Sequence, residues 1–391
     1  MIKSKARFMP FISFIITAAI ILPQFVIGVL GAGDETADDA LSLDCASALL
    51  MDSLTGTVLY AKNENESLPP ASVTKIMTLI LVMEAIDSDK LKLDDTLQVS
   101  EYAASMGGSQ IFLEPGEEMS VEDLIKSVVI ASANDAAVTL AEAVAGSESA
   151  FIDMMNEKAE ALGMKNTHFE NATGLDDTVT DHRTSALDIA LMSRELMKHP
   201  LILKYSSIWM DSVRDGAFGL TNTNRLVRFY SGATGLKTGS TSKAKFCISA
   251  TACRGGMHLI AVIMGAPTRD VRNEAAKKLL DYGFANYSVY KDGEASCGDV
   301  KVVGGVSPTC PTHRNGVSLL LEKGKAGKVV SKVTLDESVS APVKVGEVVG
   351  KAVYTVDGEK VAEEPVTAAE EIEKIGYFEI LRRLFASFTL S

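Results

Sequence analysis

The sequence predicts an α+β fold: an antiparallel sheet with packed helices, then a small all-β domain and a C-terminal amphipathic helix. Three patterns lead to this prediction. Strand-like segments stand near both ends of the region 33–286, and helical segments lie between them. Residues 287–365 hold short strands separated by glycine turns, without a helical period. Residues 366–391 then return to a helical pattern.

The first domain, 33–286, is predicted to begin with a β-hairpin at 48–63, where two apolar runs flank a Thr-Gly turn. The segment 72–86 is apolar over more than one face, which indicates a helix buried inside the domain. Serines in helix-capping positions open further helices within 120–146 and 147–163. The rest of the domain is predicted to be an antiparallel meander and a closing helix, at 234–240, 243–253, 257–266 and 274–284.

The C-terminal region 366–391 is predicted to form an amphipathic helix. Six apolar residues fall on one face at three- and four-residue spacing: Tyr377, Phe378, Leu381, Leu384, Phe385 and Phe388. Lys374, Arg382 and Arg383 lie off that face. Two interpretations stand at this point. The apolar face packs on the all-β domain, or it lies in a membrane interface where the two arginines meet anionic headgroups.

The N-terminus has the pattern of a secretory signal. Lys3, Lys5 and Arg7 precede an apolar run at 8–30, and small residues follow at 31–33. We expect residues 1–32 to be a signal peptide that is cleaved near Ala32. Because the run is long enough to cross a bilayer, an uncleaved anchor is the alternative. Both interpretations place the rest of the chain outside the cytoplasm.

Composition and charge exclude one class of partner. Hydrophobic residues make up 47% of the 391 residues and charged residues 23%, an ordinary composition for a folded protein. The formal net charge at pH 7 is −13. Proteins that bind nucleic acids usually carry a basic patch, so we expect no nucleic-acid partner.

The five cysteines allow at most two disulfides, which leaves at least one thiol unpaired. Cys247 and Cys253 lie on one predicted strand about 20 Å apart, too far for a bond between them. Cys297 and Cys310 have two interpretations, a disulfide in the second domain or two small buried thiols.

A serine and a lysine in the sequence PPASVTKIMT suggest an activated nucleophile. Ser72 would stand at the start of a helix, where free backbone N–H groups favour developing negative charge. Lys75 would lie one turn along on the same face. Apolar surroundings would make its neutral form more favourable, so that it could accept the serine proton. The alternative is a capping Ser72 with Lys75 extended to solvent.

Two further triplets are each unique in the chain. Ser132-Ala133-Asn134 is the only S-x-N, at a point where a helix is predicted to break and restart. Lys237-Thr238-Gly239 is the only K-T-G, on a predicted strand where glycine would let another backbone approach closely. Taken alone, the first triplet is equally typical of a cap and turn, and Lys237 of an edge-strand lysine that opposes aggregation.

In the order S-x-x-K, S-x-N and K-T-G, these triplets match the active-site serine acyltransferases that bind penicillin. The segments around them, HFENATGLDD and GATGLKTGSTSKAKFCISATA among them, extend the similarity over about residues 40–285. The chain resembles the D-alanyl-D-alanine carboxypeptidases of the low-molecular-mass penicillin-binding type. That family also carries the β-domain and the C-terminal helix. The resemblance implies a β-lactamase/transpeptidase-like fold for the first domain.

The resemblance implies a role for each motif residue. Ser72 would attack the carbonyl between the two terminal D-alanines of a peptidoglycan stem peptide, with Lys75 as the base. Ser132 would relay protons, and Asn134 would hold the substrate amide. On the K-T-G strand, Lys237 and Thr238 would bind the terminal carboxylate, and Gly239 would allow close backbone approach. The backbone N–H of Ser240 would form the oxyanion hole together with that of Ser72.

The resemblance also implies partners and location. Penicillin and other β-lactams should acylate Ser72, and neither a metal nor an organic cofactor is expected. We expect an exported enzyme on the outer face of the bacterial cytoplasmic membrane, which favours the membrane interpretation of the C-terminal helix. Arg272 matches a position where the family often has an arginine beside the substrate carboxylate. A surface ion pair is the alternative for Arg272.

Two other functions remain as alternatives. A class A β-lactamase shares the three motifs but needs a glutamate that activates the deacylating water, and Glu170 is the candidate. A lactamase would also end soon after the 274–284 helix, whereas about 100 residues follow here. The other alternative is a catalytically silent wall-binding scaffold on the same fold. The intact motifs argue against it.

Overall fold

The computed structural model describes residues 41–389. The predicted signal peptide, 1–32, lies outside the described residues. Within residues 41–286, the strands of the first part of the fold are β1 (Ser47–Asp52), β2 (Val58–Lys62), β3 (Thr96–Gln98), β4 (Glu118–Ser120), β5 (Met210–Val213), β6 (Phe218–Thr221), β7 (Ala233–Thr241), β8 (Lys245–Arg254) and β9 (Met257–Ala266). The α-helices of the same residues are α1 (Lys75–Asp87), α2 (Glu101–Ala104), α3 (Val121–Lys126), α4 (Asn134–Ala145), α5 (Glu148–Ala161), α6 (Ala186–Leu196), α7 (Pro200–Ser206), α8 (Leu226–Phe229) and α9 (Arg269–Asn286).

An antiparallel sheet with the strand order β2-β1-β9-β8-β7 is the centre of this region. The pairing of β1 with β9 runs from Ser47 opposite Met264 to Asp52 opposite Leu259. It therefore joins the beginning of the region to its end. The predicted hairpin, the predicted meander and the packed helices are confirmed.

Each face of the sheet is covered by helices. Along β1, Leu49 and Met51 belong to a core shared with α1, whereas Ala48 and Leu50 belong to a core shared with α9. Alternation of this kind is expected because successive strand side chains point to opposite faces. Helix α1 is buried on nearly all sides, as its uniformly apolar sequence predicts. Each fully buried aliphatic side chain stabilises the fold by about 1.5–3 kcal/mol.

The second region consists of strands. They are β10 (Tyr287–Asp292), β11 (Ala295–Val303), β12 (Thr309–Arg314), β13 (Val317–Glu322), β14 (Val329–Leu335), β15 (Val339–Ser340), β16 (Val348–Val356) and β17 (Glu359–Ala368). Six of them form a sheet in the order β14-β16-β17-β12-β11-β15, and β10 pairs with β13. Apart from a short 3-10 turn, Ala326–Lys328, the region has no helix among its described residues, so the predicted all-β character is confirmed.

The last helix, α10 (Tyr377–Thr389), begins later than residue 366, where the sequence pattern placed it. Strand β17 continues to Ala368 because its residues pair with β12 and β16. Ile372 then exchanges backbone hydrogen bonds with Val343 and is buried in the core of the β-domain. No helix within 41–389 combines the length and the apolar character of a membrane span.

The cysteines form no disulfide, and all five lie within the described part of the chain. Of the two interpretations for the second domain, the structure therefore favours thiols. The Cys310 side chain is buried, and its thiol contacts the carbonyl oxygens of Pro311 and Glu370, both at 3.4 Å. Cys297 is only partly buried.

Candidate active site

Ser72 lies in a single 3-10 turn, Ala71–Thr74, directly before α1. Ala71 has a positive φ of 50°, so the chain enters this turn sharply after Pro69 and Pro70. The Ser72 hydroxyl accepts a hydrogen bond from the Lys75 amine at 2.9 Å. Among the described residues this hydroxyl caps no helix, so the capping interpretation does not describe the turn.

Lys75 is fully buried at the first position of α1. Its Nζ donates to Ser72 Oγ at 2.9 Å and to the carbonyl oxygen of Thr173 at 2.8 Å. Burial holds the pKa of the amine well below its ordinary value, the charge of Lys237 lowers this pKa further, and Asp135 opposes both effects. Lys75 does not reach solvent, which contradicts the alternative of an extended side chain.

Ser132 and Asn134 stand where the chain changes direction between two helices. A π-helical turn, Ser127–Ala131, ends at Ser132, which has a left-handed conformation with φ 65°, and α4 begins at Asn134. The Asn134 side-chain amide donates to Gly107 O at 2.6 Å. Its Oδ1 is buried and has no hydrogen-bond partner among the described residues. A buried acceptor of this kind is costly unless a ligand or a water molecule supplies a donor.

Lys237 brings the second and third motifs together. Its buried Nζ donates to Ser132 Oγ at 2.7 Å and to the carbonyl oxygen of Thr238 at 2.9 Å. Burial lowers the pKa of Lys237 to about 7, and the charge of Arg272 contributes to the shift. A buried lysine cannot serve as a solvent-exposed charge that protects a sheet edge, so that interpretation is wrong.

Gly239 lets strand β7 touch the turn that carries Ser72. A Cβ atom at Gly239 would lie 2.8 Å from Pro70 O, 2.8 Å from Ser72 N and 2.9 Å from Val73 N. Any side chain would therefore push the turn that carries Ser72 away from the strand. Thr238 donates its hydroxyl hydrogen to Thr223 Oγ1 at 2.7 Å, and Ser240 follows Gly239 as an exposed residue of the edge strand.

A loop outside the three motifs supports Lys75. The Thr173 carbonyl accepts from Lys75, and Asn171 Oδ1 accepts from the N–H of Gly174 at 2.6 Å. Gly174 has φ 81°, and a Cβ there would collide with the carbonyl group of Ala71. The sequence Thr-Gly in HFENATGLDD was the available signal, but nothing local shows which residue the loop packs against.

His182 holds the same loop from its other side. Its Nδ1 accepts the Glu170 N–H at 3.0 Å, so the ring proton is on Nε2, which donates to Thr74 Oγ1 at 2.7 Å. Burial lowers the pKa of His182 to about 4, so the ring is neutral at pH 7. The Glu170 carboxylate accepts the N–H groups of Thr180 and Asp181 at 3.0 and 2.7 Å. Glu170 therefore closes its own loop.

Arg272 is buried near the start of α9, behind the sheet. Its guanidinium donates to Cys247 O at 3.4 Å and to Asn273 Oδ1 at 2.9 Å. It forms no ion pair within the described chain, so the interpretation as a surface ion pair is wrong. Burial lowers the pKa of Arg272 to about 10.

Sequence profiles match two parts of the chain. The profile described as D-alanyl-D-alanine carboxypeptidase matches residues 34–268. The profile described as penicillin-binding protein 5, C-terminal domain, matches residues 284–374. Together they account for both regions of the fold.

Individual relatives agree with the profiles. D-alanyl-D-alanine carboxypeptidase DacF of Bacillus subtilis is 44% identical over 378 residues, which cover 95% of this chain and 96% of the relative. DacC of Escherichia coli is 34% identical, covering 89% and 88%. The crystal structure of penicillin-binding protein 5 from Haemophilus influenzae superposes with a TM-score of 0.73 at 31% identity, covering 85% of this chain and 98% of that one. The fold is thus transpeptidase-like with a C-terminal all-β domain, and the chain belongs to the D-alanyl-D-alanine carboxypeptidase family.

Proposed function

We propose that this serine-type D-alanyl-D-alanine carboxypeptidase removes the terminal D-alanine of peptidoglycan stem pentapeptides through an acyl-enzyme on Ser72. The observation that carries the proposal is the 2.9 Å hydrogen bond between the buried Lys75 amine and the Ser72 hydroxyl. A nucleophile within hydrogen-bond reach of a base is the arrangement that serine acyl transfer requires. Burial lowers the pKa of Lys75 and so favours the neutral amine, the form that can act as this base.

Acylation follows from this geometry. Lys75 Nζ accepts the Ser72 proton as Oγ attacks the carbonyl carbon of the penultimate D-alanine. The backbone N–H groups of Ser72 and Ser240 would receive the developing oxyanion, and losing one such donor typically costs about 3–4 kcal/mol of barrier. The C–N bond breaks, and the proton that Lys75 received from Ser72 passes through the Ser132 hydroxyl, which lies 2.7 Å from Lys237 Nζ, to the leaving nitrogen. Lys75 is then neutral again. Free D-alanine departs, and water then hydrolyses the ester with Lys75 as the base.

The substrate would be held from two sides. The orphaned Oδ1 of Asn134 is available for an amide N–H of the stem peptide. Lys237 and Thr238 would bind the terminal carboxylate, whose negative charge would favour the ammonium form of Lys237 beside the Thr238 hydroxyl. We propose that Gly239 acts only through its lack of a side chain, which lets Ser72 approach the bound peptide. Arg272 would add positive charge from behind the sheet.

β-Lactams are the second class of ligand, since the lactam amide imitates the D-alanyl-D-alanine amide. Two observations support hydrolysis of the peptide over lactamase activity. Glu170, the candidate lactamase glutamate, uses its carboxylate for the N–H groups of Thr180 and Asp181. The chain also continues past α9 into a complete β-domain. The hydrogen bonds that join Lys75 to Ser72 and Lys237 to Ser132 support a working enzyme over a silent scaffold.

The test measures D-alanine release from a diacyl-Lys-D-Ala-D-Ala tripeptide, and labelling by a fluorescent penicillin. Both reactions are expected with the parent protein, and both should vanish in Ser72→Ala. A matched control is Ser242→Ala, the serine of another S-x-x-K pattern, which is exposed in the turn between β7 and β8. Labelling that persists in Ser72→Ala would disprove the assignment of the nucleophile. Rapid turnover of penicillin without D-alanine release would favour the lactamase.

We propose further that the enzyme acts outside the cytoplasm, where peptidoglycan lies, and that α10 rests on the outer surface of the membrane. Tyr377, Phe378 and Phe385 are 71%, 84% and 70% exposed, an unusual degree for aromatic side chains. Arg382 and Arg383 lie on the same helix and would meet anionic headgroups.

The membrane proposal is tested by ending the chain after Gly376, which keeps the Ile372 contacts of the β-domain intact. With the signal peptide removed, the shortened chain is expected in the soluble fraction and the complete chain on vesicles that contain anionic lipid. Equal vesicle binding by both chains would contradict a role for α10.

A further inference from the structure

Glu148 is a buried carboxylate outside the three motifs. It is the first residue of α5, and its side chain uses both oxygens. Oε1 accepts the Ala172 N–H at 2.9 Å, and Oε2 accepts the Tyr102 hydroxyl hydrogen at 2.5 Å. No Lys, Arg or His forms an ion pair with it in the part of the chain that the structure describes. A buried carboxylate with only neutral donors is costly, so its position calls for an explanation.

The first of these hydrogen bonds leads to Lys75. Ala172 and Thr173 present successive carbonyl groups to α1. Ala172 O accepts from Thr78 Oγ1 at 2.7 Å, and Thr173 O accepts from Lys75 Nζ at 2.8 Å. Because Glu148 holds the N–H of Ala172, it fixes the segment that supplies the carbonyl partner of the lysine.

The second hydrogen bond leads to Asn134. Tyr102 belongs to α2, and the chain continues from α2 into a segment that holds Asn134 by two carbonyl groups. Gly107 O accepts from the side-chain amide at 2.6 Å, and Ser109 O accepts from the backbone N–H at 2.7 Å. The hydrogen bond to Glu148 raises the pKa of Tyr102 to about 12, so the phenol remains a donor at working pH.

We propose that Glu148 is a positioning residue that joins the loop behind Lys75 to the segment behind Asn134. It would thereby fix the positions of both side chains, the proposed base and the proposed substrate contact. The inference rests on the proposed function, because it assigns a purpose to contacts of those two residues. Glu148 itself would touch neither substrate nor nucleophile. Its effect passes through two backbone segments, each of which is hydrogen-bonded to a motif residue.

Loss of the Glu148 carboxylate should move the pKa of Lys75 in one direction, downward. A carbonyl acceptor stabilises an ammonium more than an amine, so a displaced Thr173 carbonyl lowers the pKa of Lys75 further. The ionisable groups that face Lys75 are Lys237 on β7, Asp135 on α4 and His182 on the loop before α6. A substitution at Glu148 leaves all three of these residues in place. The acidic limb of the acylation rate should therefore move to lower pH, while the plateau falls because the base is weaker and less well placed.

The experiment compares Glu148→Ala, Glu148→Gln and the parent as full-length chains in detergent. Acylation by a fluorescent penicillin is followed as a function of pH, and D-alanine release from the tripeptide is measured in parallel. Glu148→Ala is expected to acylate about 10–100-fold more slowly, with its acidic limb shifted by about one pH unit to lower pH. Glu148→Gln should stay within about threefold, since its amide oxygen still accepts the Ala172 N–H. Glu157→Ala, at an exposed position of α5, should match the parent.

Tyr102→Phe separates the two connections and keeps the proposal testable if Glu148→Ala fails to fold. It removes only the hydrogen bond toward the Asn134 segment. KM for the tripeptide should rise several-fold, while the acidic limb stays in place. An unmoved limb in Glu148→Ala, or equal loss in Glu148→Ala and Glu148→Gln, would overturn the proposal. A parent that neither labels nor releases D-alanine would overturn the proposed function instead, before any Glu148 variant is compared.

Discussion

Both regions of the protein bury basic side chains, and they do so in opposite ways. In the β-domain, Arg314 donates to the Asp292 carboxylate at 2.6 Å and lies over the Tyr354 ring at 5.7 Å. In the peptidase region, Lys75 and Lys237 are more deeply buried, yet neither forms an ion pair with any residue described. Their partners are hydroxyl groups and backbone carbonyls.

The comparison distinguishes Arg314, a cation held by an ion pair, from Lys75 and Lys237, which are buried without one. An arginine keeps its charge at any ordinary pH, so the Asp292 carboxylate offsets much of the cost of burying Arg314, whereas Arg272 of the peptidase region is buried with neutral acceptors. A lysine can lose its proton instead, and burial without a carboxylate favours that outcome. Burial lowers the pKa of Lys237 to about 7 and that of Lys75 well below its ordinary value. Strongly shifted lysines beside serine hydroxyls are typical of catalytic sites.

The largest expected effect comes from Lys75→Met. Removing the proposed base should slow acylation by about 10³-fold, because general base catalysis typically contributes 10²–10⁴-fold. The free energy of unfolding should remain within about 2 kcal/mol of the parent, since an apolar side chain replaces a buried amine that had no ion pair. Stopped-flow labelling with penicillin and urea unfolding measure the two quantities. A large loss of stability with little loss of rate would reverse the assignment of Lys75 as a chemical group.

Arg314→Met is expected to give the opposite result. The Asp292 carboxylate would lose its cation and keep only the Tyr354 hydroxyl at 3.0 Å. The free energy of unfolding should fall by about 2–4 kcal/mol, with acylation of Ser72 unchanged. Urea unfolding followed by circular dichroism checks this. Lys328→Ala, which breaks an exposed pair with Asp357 at 3.1 Å, is the control and should cost less than about 1 kcal/mol. Equal losses in the two variants would show that burial does not distinguish the pairs.

The sequence predicted those features that depend on local patterns. The alternating and uniformly apolar segments indicated the sheet, helix α1 and the β-domain, and these are confirmed. The motif spacings named Ser72, Lys75 and Lys237, whose side chains the structure brings into contact with each other or with Ser132. Their catalytic roles remain predictions. The triplets were informative because each needs a particular side chain at a particular place.

Other features could not be read from local patterns. Thr173 contributes only a backbone carbonyl, and 98 residues separate it from Lys75. Glu148 and His182 accept hydrogen bonds from backbone N–H groups that are distant in sequence. Because almost every residue type has a backbone N–H, the sequence does not show which one is the donor. The start of α10 was placed too early because residues 366–376 have a helical composition, whereas pairing with β12 and Val343 keeps them extended. Tertiary hydrogen bonds decided each of these cases.

The smallest expected effect concerns His182, the neutral base that supports the Lys75 loop. Burial lowers its pKa to about 4, below the ordinary value of 6.5, so the unfolded chain binds the proton more tightly than the folded one. This contribution to stability is complete above about pH 6.5 and is lost as the pH falls toward 4. Between pH 7 and pH 4.5 it amounts to roughly 2–3 kcal/mol.

Urea unfolding of the parent and of His182→Gln at both pH values measures the difference. The variant should lose less stability on acidification, because it has no ring to protonate against the Glu170 N–H. The same loss in both proteins would mean that other groups carry the pH dependence, and that His182 holds the loop without acting as a pH-sensitive contact.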